Sequence, residues 1–103
     1  MQNEFLKFDD NKVLASAVDP LYVIGTAQVL TFGAKKYDRD NWKLNNDPVR
    51  IQDSLMRHLY AYLAGEKIDP ETGLSHLYHA SCNLMFLAYY ERNGEKLWLR
   101  LEF

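Results

Sequence analysis

Cysteine is all but absent from this chain: Cys82 is the single one in 103 residues. No internal disulfide can form, and the apolar neighbours of Cys82 predict a buried thiol in a reducing compartment rather than a nucleophile. Long apolar runs are missing too. The longest, residues 84–90, falls far short of the roughly 20 residues that a membrane-spanning helix needs. The first ten residues carry charges every few positions and have no apolar core segment, so no signal peptide is expected. A soluble, cytoplasmic protein follows. Neither charge sign dominates: 12 Lys and Arg stand against 14 Asp and Glu, for a net charge of −2. There is no global basic field to hold a nucleic acid polymer, and a small anionic ligand would need a local cluster of cations. The five glycines form neither a P-loop nor a GxGxxG turn, and no Ser-His-Asp order is present. Any phosphate chemistry is therefore not of the P-loop type.

What is present is enough for one small domain over residues 1–103, with 48% apolar and 14% aromatic residues. A chain this short leaves much of its surface wet, and a homo-oligomer, a dimer or larger, is expected. Residues 1–18 are polar and mixed. Asp19 followed by Pro20 is a helix start, a capping side chain before a residue that needs no N–H partner. Leu21, Ile24, Val29 and Phe32 then give a helical stripe ending at Gly33. A second helix opens after Asp47-Pro48, with Ile51, Leu55, Leu59, Tyr62 and Leu63 on its inner face and Gly65 as its stop. Asp53 and Arg57 stand one turn apart on it. Residues 69–73 read as a tight connection. A third helix over residues 74–92 places Leu77, Leu84, Phe86 and Leu87 towards the core and stops at Asn93-Gly94. After Trp98 the tail alternates apolar and polar residues, which suits a short extended arm over residues 97–103 packed across a neighbouring subunit, the alternative being an arm folded back onto its own helices. The fold class expected is all-α, a small bundle of three to four helices.

Three features carry chemistry. The segment between the first two helices holds Lys35, Lys36, Tyr37, Asn41 and Trp42. Lysines pair with phosphates, an aromatic ring stacks on a base and an asparagine reads a base edge. The alternative is a loop pinned to the core by Tyr37 and Trp42, with its lysines solvated. All three histidines lie in the second and third helices. His76, His79 and Asn83 share one helical face, and polar groups aligned along an apolar helix need partners that a ligand or metal can supply; structural histidines are the alternative, for His58 as for the others. Glu66 and Asp69 have a spacing that can put two carboxylates on one cation such as Mg²⁺, against plain surface charge. A zinc site is less expected: there is one cysteine and no second at finger spacing, and the His-x-x-His pair lacks the metalloprotease glutamate.

These strings together resemble a known family. Phe8-Asp9-Asp10-Asn11-Lys12, a proline-started helix ending Phe32-Gly33-Ala34-Lys35-Lys36-Tyr37, and Asn41-Trp42 are followed by Arg57-His58-Leu59, Gly65-Glu66, Asp69-Pro70-Glu71-Thr72-Gly73, His76-Leu77, His79-Ala80 and Asn83. Their order and spacing, from about residue 7 to residue 90, are similar to the phage dATP/dGTP diphosphohydrolase (MazZ-like) N-terminal domain. The resemblance implies an all-helical, MazG-like fold that oligomerises. It also implies Mg²⁺- or Mn²⁺-dependent cleavage of a purine deoxynucleoside triphosphate to monophosphate and pyrophosphate. One departure stands out. MazG-type enzymes carry an ExxE run answered by ExxD on the next helix, whereas Arg57 and His58 occupy the corresponding stretch here.

The expected assignment makes Lys35, Lys36 and Arg57 the phosphate cations and Glu66 and Asp69 the metal ligands. His58 or His79 orients or deprotonates the water, and Tyr37, Asn41, Trp42 and Asn83 contact the substrate. Two other readings remain open. The missing glutamates favour a protein that binds a nucleotide or nucleotide-derived signal without hydrolysing it. The tail favours a structural module that assembles through residues 98–103.

Overall fold

The computed structural model describes residues 11–45 and 47–95; the extended arm expected over residues 97–103 lies outside them. Three α-helices carry the described chain: α1 (Pro20–Lys36), α2 (Pro48–Leu63) and α3 (His76–Glu95). Short 3₁₀ turns stand at Ala15–Ala17 and Asn41–Leu44. The fold is a small all-α bundle in which α3 packs against both α1 and α2 and also meets the Asn41–Leu44 turn. No helix among the described residues is long and apolar enough to cross a membrane.

Local chemistry explains the helix ends, with three corrections to the sequence expectation. Asp19 accepts from the Leu21 N–H at 3.0 Å ahead of Pro20, as expected. Gly33 does not stop α1, which runs one turn further to Lys36; a glycine inside a helix lowers stability but does not end it. Asp47 precedes Pro48 but makes no capping bond; its own N–H is bound by Asn45 Oδ1 at 2.6 Å. Asn93-Gly94 likewise lies inside α3, which continues to Glu95. Gly65, just after α2, has φ 105°, a left-handed backbone suited to glycine.

The connection from α2 to α3 is a tight hairpin closed by an isolated antiparallel bridge between Ile68 and Ser75. Asp69 N–H bonds Leu74 O at 2.8 Å, His76 N–H bonds Lys67 O at 3.0 Å, and Gly73 turns the chain at φ 73°. Ser75 then starts α3 by accepting from the Leu77 N–H at 3.1 Å. Asp69 and His76 are thereby held at fixed positions across the hairpin.

The core is thin. Ala80 and Cys82 of α3 and Gly25 of α1 are buried, and no described side chain is completely enclosed. Leu21 and Ile24 of α1, Leu63 of α2, and Leu77 and Leu84 of α3 are exposed rather than inward as their periodicity suggested. Gly25 of α1 faces Tyr78 of α3. A Cβ built there would overlap the Tyr78 ring, and beside it Thr26 donates to Ser81 Oγ at 2.9 Å. Replacing a mid-helix glycine by alanine normally gains up to about 1 kcal/mol. Here overpacking costs about 1–3 kcal/mol and dominates, so Gly25→Ala is expected to lower the melting temperature. Gly33→Ala, where a Cβ would meet nothing within 4 Å, is expected to raise it. A thermal melt of the two variants side by side checks both signs.

Candidate functional site

The hairpin brings the histidines and carboxylates into one cluster. His76 is 3% exposed. Its Nε2 lies 2.7 Å from Glu66 Oε1, and its Nδ1 lies 2.8 Å from Nδ1 of His58 on α2. His79, one turn along α3, stacks on His58 with ring centroids 4.3 Å apart and planes 6° from parallel. Its Nε2 lies 2.7 Å from Thr72 Oγ1 and 3.5 Å from Asp69 Oδ2. Thr72 presents both its N–H and its hydroxyl to Asp69 Oδ2, at 3.1 and 2.9 Å.

The hydroxyl proton of Thr72 can serve only one partner. Asp69 is an anion: burial works against its charge, but the two Thr72 hydrogen bonds and the neighbouring His79 and His58 hold its carboxyl below the usual range. The hydroxyl therefore donates to Asp69, and His79 Nε2–H donates to Thr72 Oγ1. That leaves His79 Nδ1 as the basic nitrogen. Burial lowers the pKa of His79, with Asp69 opposing. Burial, followed by His79 and His76, pushes His58 down to about 4. Both rings are neutral imidazoles at neutral pH.

This pair lines a cavity of about 260 Å³. Trp42 lines it as well, held against α3 by stacking on Phe86 (centroids 4.7 Å, 24°), by an edge contact with Tyr89 at 4.9 Å, and by Tyr90 Oη donating to its backbone carbonyl at 2.7 Å. Tyr37 and Asn41 line the same cavity. Asn83, 7% exposed, also lines the cavity and donates to Ser54 Oγ of α2 at 3.1 Å. Gly33 contributes no side chain and leaves space at the α1 wall.

Six of the residues singled out from sequence thus meet at one cavity: Tyr37, Asn41, Trp42, His58, His79 and Asn83. Lys35, Lys36 and Arg57 do not line it. Lys36 is paired with Glu71 at 3.3 Å on the surface, and Arg57 is exposed but close enough to His58 to disfavour its protonation. Arg39, Ser54 and Cys82 also line the cavity and carry no local sequence signal for it. Cys82 is 2% exposed, and burial pushes its thiol up to about 12, which keeps it protonated.

Glu66 and Asp69 were expected to share a cation such as Mg²⁺. The hairpin gives each a different histidine instead, Glu66 to His76 and Asp69 to His79. Among the described residues, the donor atoms that converge belong to His58, His76 and Asp69, all within 4.8 Å of one another, and Glu66 is outside that group. Two imidazoles and one carboxylate are a poor match for Mg²⁺, which takes an octahedron of oxygen ligands.

The family described as "dATP/dGTP diphosphohydrolase, N-terminal" matches residues 2–100. The chain belongs to that family. A dATP/dGTP diphosphohydrolase of Salmonella phage PMBT28 is 36% identical over 88 residues, which cover 85% of this chain and 30% of that protein. The chain therefore spans under a third of the length of the relative it matches. No solved structure matches it.

Proposed function

We propose that this domain binds a purine deoxynucleoside triphosphate and hydrolyses it to the monophosphate and pyrophosphate. The observation that carries the proposal is one cavity lined both by Trp42, Tyr37 and Asn41 and by His58 and His79. Its volume sits near the small end of ligand pockets, about 300–1,000 Å³. It suits the base and sugar, with the triphosphate extending towards the histidines and the protein surface.

In this reading Trp42 and Tyr37 supply ring faces for the base, and Asn41 and Asn83 read its edge. Arg39 at the cavity and Arg57 beside His58 neutralise phosphate charge, with Lys35 and Lys36 nearby on the last turn of α1. A divalent cation, when bound, withdraws charge from the phosphoryl oxygens. Thr72 fixes His79 so that its free nitrogen accepts the proton of the attacking water. The water oxygen bonds to the α-phosphorus, the α–β anhydride bond breaks, and pyrophosphate leaves. Exposed Leu21, Val23 and Ile24 on α1 and Met56, Tyr60 and Leu63 on α2 support self-association, since the isolated chain leaves these apolar faces wet.

The second reading, binding without hydrolysis, is favoured by one observation: histidines occupy the place of an acidic ligand cage. A nucleotide panel on the intact protein separates the two, with released pyrophosphate and thermal shift scored together. Pyrophosphate from dATP or dGTP, lost on chelation, is the expected result. A thermal shift without product supports the binder, and silence in both channels contradicts the proposal.

A further inference from the structure

We infer that His58, His76 and Asp69 form the binding site for one divalent transition-metal ion, with Glu66 as the outer partner of His76 rather than a ligand. The inference deepens the hydrolase reading by naming the ion class and its ligands, and it rests on that reading only for the use made of the ion.

The donor atoms converge within 4.8 Å, and the arrangement around them is that of a metal site. Two nitrogens bound to one ion at about 2.1 Å stand about 3 Å apart when the bonds are roughly perpendicular; the His58 and His76 Nδ1 atoms are already 2.8 Å apart. Two lone pairs cannot face each other at that distance without a proton between them. His76 keeps its own proton on Nε2, where Glu66 Oε1 accepts it at 2.7 Å, so His58 supplies the shared proton that an ion would replace. A carboxylate on the far nitrogen of a ligating imidazole is the usual outer support of such a ligand, fixing its tautomer and its orientation.

Asp69 is prepared in the same way. Both Thr72 hydrogen bonds and the approach of His79 fall on Oδ2, while Oδ1 accepts no hydrogen bond among the described residues. Thr72 thus holds the carboxylate in place and leaves one oxygen for the ion. His76 and Asp69 are fixed relative to each other by the Ile68–Ser75 bridge, and His58 is brought in by α2.

The donor set selects the ion. Two imidazoles and a carboxylate suit Mn²⁺ and the borderline ions that follow it, from Fe²⁺ to Zn²⁺, and disfavour Mg²⁺. Three protein ligands also leave coordination positions open, the mark of a reactive rather than a structural site. His58 both belongs to this group and lines the nucleotide cavity, which puts the open positions within reach of a bound phosphate.

The test needs no nucleotide. Untagged, chelator-stripped protein is titrated with Co²⁺ alone, followed by visible absorption and calorimetry. One equivalent per chain is expected, displaced by Zn²⁺ and unaffected by a hundredfold excess of Mg²⁺. Asp69→Asn and His76→Ala are expected to lose that equivalent, while Glu66→Gln keeps it with an affinity about 10–100-fold weaker. Asp69→Asn preserves the side-chain shape and carries the test if circular dichroism shows His76→Ala unfolded. Absence of Co²⁺ uptake, uptake unchanged in Asp69→Asn, or displacement by Mg²⁺ overturns the assignment. Loss of the equivalent in Glu66→Gln does so as well, by making Glu66 a ligand. Co²⁺ uptake without pyrophosphate release leaves the site standing and removes the hydrolase reading; Mg²⁺-supported release without Co²⁺ uptake does the reverse.

Discussion

Asp69→Asn is expected to reduce pyrophosphate release from dATP or dGTP by a factor on the order of 10³ while leaving the fold intact. The carboxylate has three neighbours at once: Thr72, which donates to it twice, His79 at 3.5 Å, and the His58–His76 pair within ligand reach. Asparagine keeps the shape and can still accept from the Thr72 N–H, so the hairpin survives. What is lost is the negative charge that holds a cation and favours the Thr72–His79 orientation. Metal-assisted charge stabilisation is worth several kcal/mol, and each 1.36 kcal/mol is a tenfold change in rate. Affinity for the deoxynucleoside, which has no phosphate, should not change. Parallel measurement of turnover, deoxynucleoside affinity and circular dichroism separates this outcome from simple unfolding, which would remove all three.

Trp42→Ala has the largest effect expected on stability, and it removes base binding as well. Truncating a fully buried tryptophan costs about 3–5 kcal/mol. Trp42 is half-buried but stacks on Phe86 and meets Tyr89 edge-on, so about 2–3 kcal/mol is expected. Against a total of about 5–15 kcal/mol this is a large fraction, and for a domain of this size it lowers the melting temperature by roughly 10 °C or more. Nucleotide affinity should fall at least tenfold, because the ring walls the cavity. Trp42→Phe is expected to recover part of both losses. A calorimetric melt with a nucleotide titration checks them. Full affinity in Trp42→Ala would place the base elsewhere.

The parts of the fold governed by local chemistry were legible in the sequence. Asp19-Pro20 and Pro48 mark true helix starts, and the face shared by His76, His79 and Asn83 follows from helical spacing alone. The segment around Tyr37, Asn41 and Trp42 stood out because it sets large rings among cations in the connection between two helices. Helix ends were harder. Gly33 and Asn93-Gly94 permit termination but do not force it, and packing carried both helices through. Periodicity identified Leu21, Ile24, Leu63, Leu77 and Leu84 as apolar positions but carries no information about what covers them, and in the isolated chain they are exposed. The carboxylates show most clearly where sequence spacing runs out. Glu66 and Asp69 look like a pair, but in a non-helical connection three residues of separation do not set direction. The Ile68–Ser75 bridge decides which histidine each one meets. Arg39, Ser54 and Cys82 reach the cavity only through tertiary packing, as the Asn83–Ser54 bond across 29 residues illustrates.

The central claim is that one cavity holds the base at Trp42 and the reacting phosphate at the histidines. The most direct test is a crystal structure of the intact protein with a dATP analogue whose α–β bridge cannot be cleaved, grown with Mn²⁺. The account predicts the purine against Trp42 within reach of Asn41 and Asn83, the α-phosphate near His79, and Mn²⁺ on His58, His76 and Asp69. An analogue seated outside the cavity, or one whose phosphates lie at Trp42 with the base at the histidines, would contradict it.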